Sequence, residues 1–299
     1  MILSFVAIIK DMEQKTYGGI ELGGTKTICA VADANGVILS QTTIPTTSVD
    51  ETFGAVFEFF EQGLPIISLG VGSFGPVQLN PDSSEYGYIY NSPKPGWSKV
   101  NVKGLLEDRL KLNVAIDTDV NCAALGEQFY GVAKNANNFI YLTLGTGIGG
   151  SLVSNAKLVH GILNLEMGHM RIPHEQFMTT FEGACIFHKD CLEGIASGYA
   201  MAQRYGKNAE EIVDDEAWDI EAGYIASALN NLMMITGPEL IVVGGGLTDH
   251  AGLMAAIRTK VQQNVNNYMN FPDLENYIVQ SSSKLNGVLG AIKLTSLTN

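Results

Sequence analysis

Cys185, His188 and Cys191 stand three residues apart twice over in the stretch CIFHKDC, so one short loop offers two thiols and an imidazole. Those are three of the four ligands of a closed tetrahedral zinc site. The fourth must come from elsewhere. His169, sixteen residues before Cys185, is the best choice, with His174 and His160 as the others. Four cysteines in 299 residues do not make a disulfide scaffold, so Cys185 and Cys191 read as metal ligands in a reducing compartment. Glu166 and Glu193 flank the cluster on either side. Carboxylates there could hydrogen-bond paired sugar hydroxyls; the plainer reading is exposed surface acids.

Two glycine-rich segments carry a different chemistry. In Glu21-Leu22-Gly23-Gly24-Thr25-Lys26 the glycines let backbone N–H groups approach a phosphate, and Thr25 and Lys26 add a hydroxyl and a charge. This is not a Walker A motif, because the spacing differs and a strand follows rather than a helix. Leu144-Gly145-Thr146-Gly147-Ile148-Gly149-Gly150 is the second segment. Alone, either reads equally as a tight turn. Together they suggest two turns clamping one polyphosphate. Asp119, in Asp117-Thr118-Asp119-Val120-Asn121, falls where a strand gives way to a helix. It reads either as a helix N-cap or as a general base taking a proton from a hydroxyl during phosphoryl transfer.

The elements around these residues repeat. Residues 17–44 read strand, glycine turn, strand, polar turn, strand, and residues 139–159 read the same way. The two glycine turns lie about 122 residues apart, from Gly23 to Gly145. An internal duplication of a glycine-rich hairpin is therefore expected. Between and beyond the hairpins, apolar spacing predicts helices over 51–62, 103–110, 120–131, 217–235, 250–266 and 285–297. Strands are predicted over 66–71, 114–116, 240–243 and 277–280, the third running into Gly244-Gly245-Gly246. The class is α/β. The longest irregular stretches are 87–97 and 173–193, where chemistry tends to sit.

Composition narrows the field. A soft prior of ~150 residues per domain suggests two domains. There are 18 basic and 31 acidic residues, a net charge of −13. That opposes generic nucleic-acid binding and docking on an anionic membrane. An anionic substrate would need local positive charge or a metal ion. Residues 2–9, ILSFVAII, are apolar but too short to span a bilayer, with no basic flank before them, and read as a leader extension. A cytoplasmic protein is expected.

ELGGTK, the DxN segment at Asp119–Asn121, LTLGTGIGGS, EMGH, CLEGIASG and IVVGGGL occur in an order that resembles the ROK family of bacterial sugar kinases and repressors, and within it the fructokinase branch. The resemblance runs from Tyr17 to the C-terminus. The combination of E-x-G-H, metal cluster and CLE is its specific part. It implies the actin-like ATPase fold, two related α/β domains around a cleft. We expect an extension over 1–15, a first domain over 16–118 completed by a terminal helix over 285–299, and a second over 119–284 carrying the zinc loop.

Carried over position by position, the resemblance implies that Gly23, Gly24, Thr25 and Lys26 form the first phosphate loop and Gly145, Thr146 and Gly147 the second. Asp119 is the base. Glu166, His169 and Glu193 hold sugar hydroxyls, with Asn91 a further candidate. Gly244, Gly245 and Gly246 line the adenosine pocket, near Tyr199. His169, Cys185, His188 and Cys191 hold structural zinc, and Mg²⁺ accompanies ATP. Three positions depart from the common pattern: Glu21 where many members carry Asp, C-x-x-H-x-x-C in place of C-x-C-G-x-x-G-C, and Tyr199 where fructokinases often have Pro.

The implied activity is ATP-dependent phosphorylation of a hexose, D-fructose to fructose 6-phosphate, by a cytoplasmic homodimer. The alternatives are a glucokinase, a mannokinase or another hexose kinase of the family. A sugar-sensing repressor is a remote alternative. Such repressors carry a winged helix ahead of the first phosphate loop, whereas about 16 residues precede Tyr17 here and the net charge is −13.

Overall fold

The computed structural model describes residues 15–162, 164–174 and 180–297. The chain divides into two compact units, one ending at Gly126 and completed from Leu285 onward, the other running from Glu127 to Lys284. The boundary falls inside the helix that begins at Asp119, eight residues after the position expected from the sequence. Residues 1–14 of the expected extension lie outside those described.

The first unit is built on β1 (Thr16–Leu22), β2 (Lys26–Asp33) and β3 (Ile38–Pro45), an antiparallel meander. Each turn has a local cause. Gly23 N–H donates to the Lys26 carbonyl at 3.0 Å and closes the first. In the second, the Asp33 side chain accepts the amides of Asn35 and Val37, both at 2.9 Å, with Gly36 at a left-handed φ of 81°. Helix α1 (Val49–Gln62) starts at Ser48, whose side chain accepts the Glu51 amide. It buries Phe53, Val56 and Phe60 on the core side.

Strand β4 (Leu69–Ser73) starts three residues later than hydropathy predicted. Its ladder decides this: Leu69 to Ser73 pair in parallel with Gly18 to Leu22 of β1 and with Val114 to Thr118 of β5 (Val114–Thr118). A strand extends as far as its partners on both sides do. Helix α2 (Val102–Leu110) precedes β5 and α3 (Asp119–Phe129) follows it.

The second unit repeats the plan. β6 (Phe139–Leu144), β7 (Ile148–Ser154) and β8 (Lys157–Leu158) form an antiparallel meander. Two short helices follow, α4 (Leu192–Ala196) and α5 (Gly198–Tyr205), neither foreseen from the sequence. Their brevity hides them from periodicity. Ser197 caps α5 by accepting the Ala200 amide at 3.1 Å, and Gly206 closes it at a φ of 69°. The long buried helix α6 (Asp215–Thr236) leads into β9 (Leu240–Gly244), and α7 (Leu253–Val265) and α8 (Leu274–Tyr277) lead into β10 (Ile278–Gln280). β9 is parallel to both β6 and β10.

The strand orders are β3-β2-β1-β4-β5 in one unit and β10-β9-β6-β7-β8 in the other. Read from the meander inward they are the same sheet, as the repeated hairpin predicted. The terminal helix α9 (Asn286–Leu294) returns to the first unit and packs Val288 and Ile292 against Ile28, Ala30 and Ala32. Gly70 permits that approach, since a Cβ there would lie 1.7 Å from the Ala291 carbonyl oxygen. Among the described residues no helix is long and apolar enough to cross a membrane.

Candidate active site

In the first unit the turn at Gly23–Lys26 is tied down by Thr46. Its amide donates to the Thr25 carbonyl at 2.9 Å, and its hydroxyl donates to the Gly23 carbonyl at 2.8 Å. Gly24, Thr25 and Lys26 stay exposed at the tip. Glu21 precedes the turn. Its carboxyl lies against the first turn of α9, accepts the Val288 amide, and would collide at 2.4 Å with a Cβ on Gly287. Burial, reinforced by the charge of Asp119, raises the Glu21 carboxyl to about 7, although Lys26 and the Val288 amide pull it down. Its Oε2 atom is buried without a hydrogen-bond partner. An orphaned carboxylate oxygen beside a second carboxylate fits a hard divalent cation.

Asp119 is not the helix cap. That role belongs to Thr118, whose Oγ1 accepts the Asn121 amide at 3.1 Å. Asp119 is the first helical residue, and its Oδ1 accepts the Val120 amide at 2.9 Å. Burial raises its carboxyl to about 6, against the opposing pull of backbone amides. A base poised near neutrality both holds its proton acceptor ready and accepts the proton with useful driving force. Asp117 supports the turn from below: its Oδ1 accepts the Thr118 amide at 2.8 Å and the Asn121 side-chain amide at 2.6 Å. Asn91 is exposed in the segment between β4 and α2.

In the second unit the two remaining glycine-rich segments emerge from neighbouring parallel strands. Thr143 of β6 pairs with Gly244 of β9, so Gly145–Gly147 and Gly244–Gly246 leave the same sheet edge side by side. Carboxyl ends of parallel strands are where such folds bind ligands. Gly245, at a φ of 92°, lies so close to Leu144 that a Cβ would meet its carbonyl oxygen at 2.3 Å. The start of α5 is bonded to the same loop: Gly198 N–H donates to the Gly145 carbonyl at 2.8 Å and Tyr199 N–H to the Thr146 carbonyl at 3.2 Å. The Tyr199 side chain is half exposed beside the loop. Glu193, in the first turn of α4, accepts the Ile148 amide at 3.0 Å. The loop is thus held by three bonds from residues 193–199. No residue type marks a backbone amide, so nothing in the sequence pointed to Ile148.

His169, Cys185, His188 and Cys191 converge, with one ligand atom from each within 4.8 Å of all the others. His169 Nδ1 lies 3.4 Å from Cys191 Sγ and 3.8 Å from Cys185 Sγ, and His188 Nδ1 lies 3.7 Å from Cys185 Sγ. Zinc bonds of about 2.3 Å to sulfur and about 2.0 Å to nitrogen place tetrahedral neighbours roughly 3.3–3.8 Å apart, so the donor set fits zinc. All four cysteines are free thiols. Burial, reinforced by Cys185, pushes the Cys191 thiol up to about 12, so a metal must displace its proton to bind. His174 packs instead against Tyr224, ring centroids 5.9 Å apart. Glu166, exposed, precedes the turn Met167–His169, which carries His169 in.

The profile of the ROK family matches residues 17–297. A fructokinase of Lactococcus lactis subsp. cremoris is 40% identical over 275 residues, covering 91% of this chain and 93% of that relative. A fructokinase of Pediococcus pentosaceus is 39% identical over 282 residues, 93% of this chain and 96% of the relative. Among solved structures, a ROK family glucokinase from Streptomyces griseus in complex with glucose and AMPPNP superposes with a TM-score of 0.77 at 24% identity, covering 93% of this chain and 98% of that one.

Proposed function

The chain belongs to the ROK family, and on that premise we infer that it is an ATP-dependent hexose kinase, a fructokinase that converts D-fructose to fructose 6-phosphate. The identity to two fructokinases over more than nine tenths of the chain supports the substrate. The observation that carries the chemistry is Asp119, a carboxyl held at the start of α3 and raised to about 6.

In the transfer, the sugar hydroxyl oxygen bonds to the γ-phosphorus of ATP, the bond from that phosphorus to the β–γ bridging oxygen breaks, and ADP leaves. The hydroxyl proton passes to the Asp119 carboxylate. Gly23, Gly24, Thr25 and Lys26, and Gly145, Thr146 and Gly147, are the residues assigned to the phosphates. Lys26 supplies positive charge in a chain whose net charge is −13. Gly244, Gly245, Gly246 and Tyr199 take the adenosine. Asn91, Glu166, His169 and Glu193 hold sugar hydroxyls, whose acceptors and donors set which hexose is preferred.

Glu21, whose Oε2 is the unpartnered oxygen, would hold Mg²⁺, which would offset the phosphate charge when bound. His169, Cys185, His188 and Cys191 would hold zinc, and four protein ligands leave no open position, so its part is structural. A homodimer working in the cytoplasm belongs to the same reading. A coupled ADP-release assay with a hexose panel tests it. Fructose is expected to give the highest kcat/KM. Preference for glucose or mannose moves the assignment to those kinases, and no ADP release with any hexose by folded protein overturns it.

A further inference from the structure

We propose that Glu193 is a positioning residue for the second glycine-rich loop, and that through it the Cys/His cluster governs how well that loop binds nucleotide. The proposal rests on the kinase reading only in taking Gly145–Gly147 as a nucleotide loop.

Ile148 is the first residue of β7, directly after that loop. Its amide donates to Glu193 Oε2 at 3.0 Å. The same oxygen would lie 2.6 Å from a Cβ on Gly147, so the carboxylate rests against the loop backbone and a side chain there is excluded. A hydrogen bond to a charged acceptor is stronger than a neutral one.

Glu193 is positioned in turn by its own helix. It stands two residues after Cys191, whose carbonyl accepts the Ile195 amide at 3.1 Å in the first turn of α4. The Glu193 carbonyl accepts the Ser197 amide at 3.2 Å, and Gly198 and Tyr199 then donate to the carbonyls of Gly145 and Thr146. One continuous segment from a cluster ligand therefore makes every bond named here between α4–α5 and the loop.

The other flank of Ile148 leads to the cluster as well. A Cβ on Gly168 would lie 1.9 Å from the Ile148 carbonyl oxygen, so that backbone packs directly on the start of β7. The next residue is His169, a second cluster ligand. Ile148 is gripped from two sides by segments that one ion would pin together.

The test measures binding of a nonhydrolysable ATP analogue with Mg²⁺ to sugar-free protein by calorimetry, with metal content and melting temperature recorded for each sample. Glu193→Ala is expected to weaken the analogue about tenfold, the loss of one hydrogen bond to a charged group, while keeping its metal. Glu193→Gln is expected to stay within about threefold of wild type, because its amide oxygen can accept the same N–H. Wild-type protein stripped by a chelator is expected to weaken as Glu193→Ala does, and chelation is expected to add little to that variant. Glu193→Ala with wild-type affinity overturns the proposal, as expected if Glu193 served sugar hydroxyls alone. Stripped wild-type protein with full affinity, an arm that needs no substitution, overturns the link to the cluster. Wild-type protein that binds no nucleotide overturns the kinase reading and the proposal with it.

Discussion

The charge of Asp119 raises the proton affinity of Glu21, on top of burial, so that two carboxyls from β1 and the start of α3 titrate near 7 and 6 rather than below 5. Both are one-unit effects: β1, β5, α3 and the first turn of α9 bring them together. Interacting carboxyls lose their protons in two steps whose apparent values belong to the pair, and an assay reads those steps.

A base must be ionised to work. kcat/KM for fructose is therefore expected to fall as pH drops through about 6, with the Asp119 carboxyl protonated below it. Asp119→Asn should lower kcat by roughly 10²–10⁴ and leave no acid limb to measure. A pH–rate profile flat from pH 5 to 8 in the wild type would remove Asp119 from the role of base.

Thr118 and Asp119 separate capping from chemistry. Thr118→Val should cost about 1 kcal/mol of stability through the lost cap on the Asn121 amide. Asp119→Asn should not lower the melting temperature, since it removes a buried charge and not the cap. Denaturation of the two variants side by side checks both signs.

The Glu21 carboxyl is raised from 4.5 to about 7, so the folded protein binds its proton more tightly than the unfolded chain does. Its contribution to stability is complete below about 4.5 and is lost as pH rises through about 7. Glu21→Gln should therefore raise the unfolding free energy at pH 8 relative to wild type, by about 3 kcal/mol at most, with a higher melting temperature there, and change both little at pH 4.5. Equal shifts at both pH values would mean that the carboxyl is not the source.

Elemental analysis should find about one zinc per chain, by the four-ligand logic of the cluster. Cys185→Ser should abolish that stoichiometry and lower the melting temperature, because Ile186 and Phe187 of the cluster loop stay exposed and do not offset about 1–2 kcal/mol of backbone entropy per residue by burial. Protein that folds at full stability without metal would leave the cluster no structural part.

Features set by short-range spacing were legible in the chain alone. The paired hairpins followed from Gly-rich turns between apolar runs, and the same strand order in both sheets bore this out. C-x-x-H-x-x-C places three donors in one short loop, and the structure brings His169 beside them. Other features were decided by partners distant in sequence. β4 begins at Leu69 because β1 and β5 pair with it there. The Glu21 carboxyl is raised by burial under a helix that starts at Asn286. Glu193 meets the Ile148 amide across 45 residues, and a backbone amide carries no residue-type signature for a reader to find. Residue types record which groups can bond; only tertiary packing decides which donor each acceptor meets, because that choice depends on the burial and approach of segments whose spacing the chain does not encode locally.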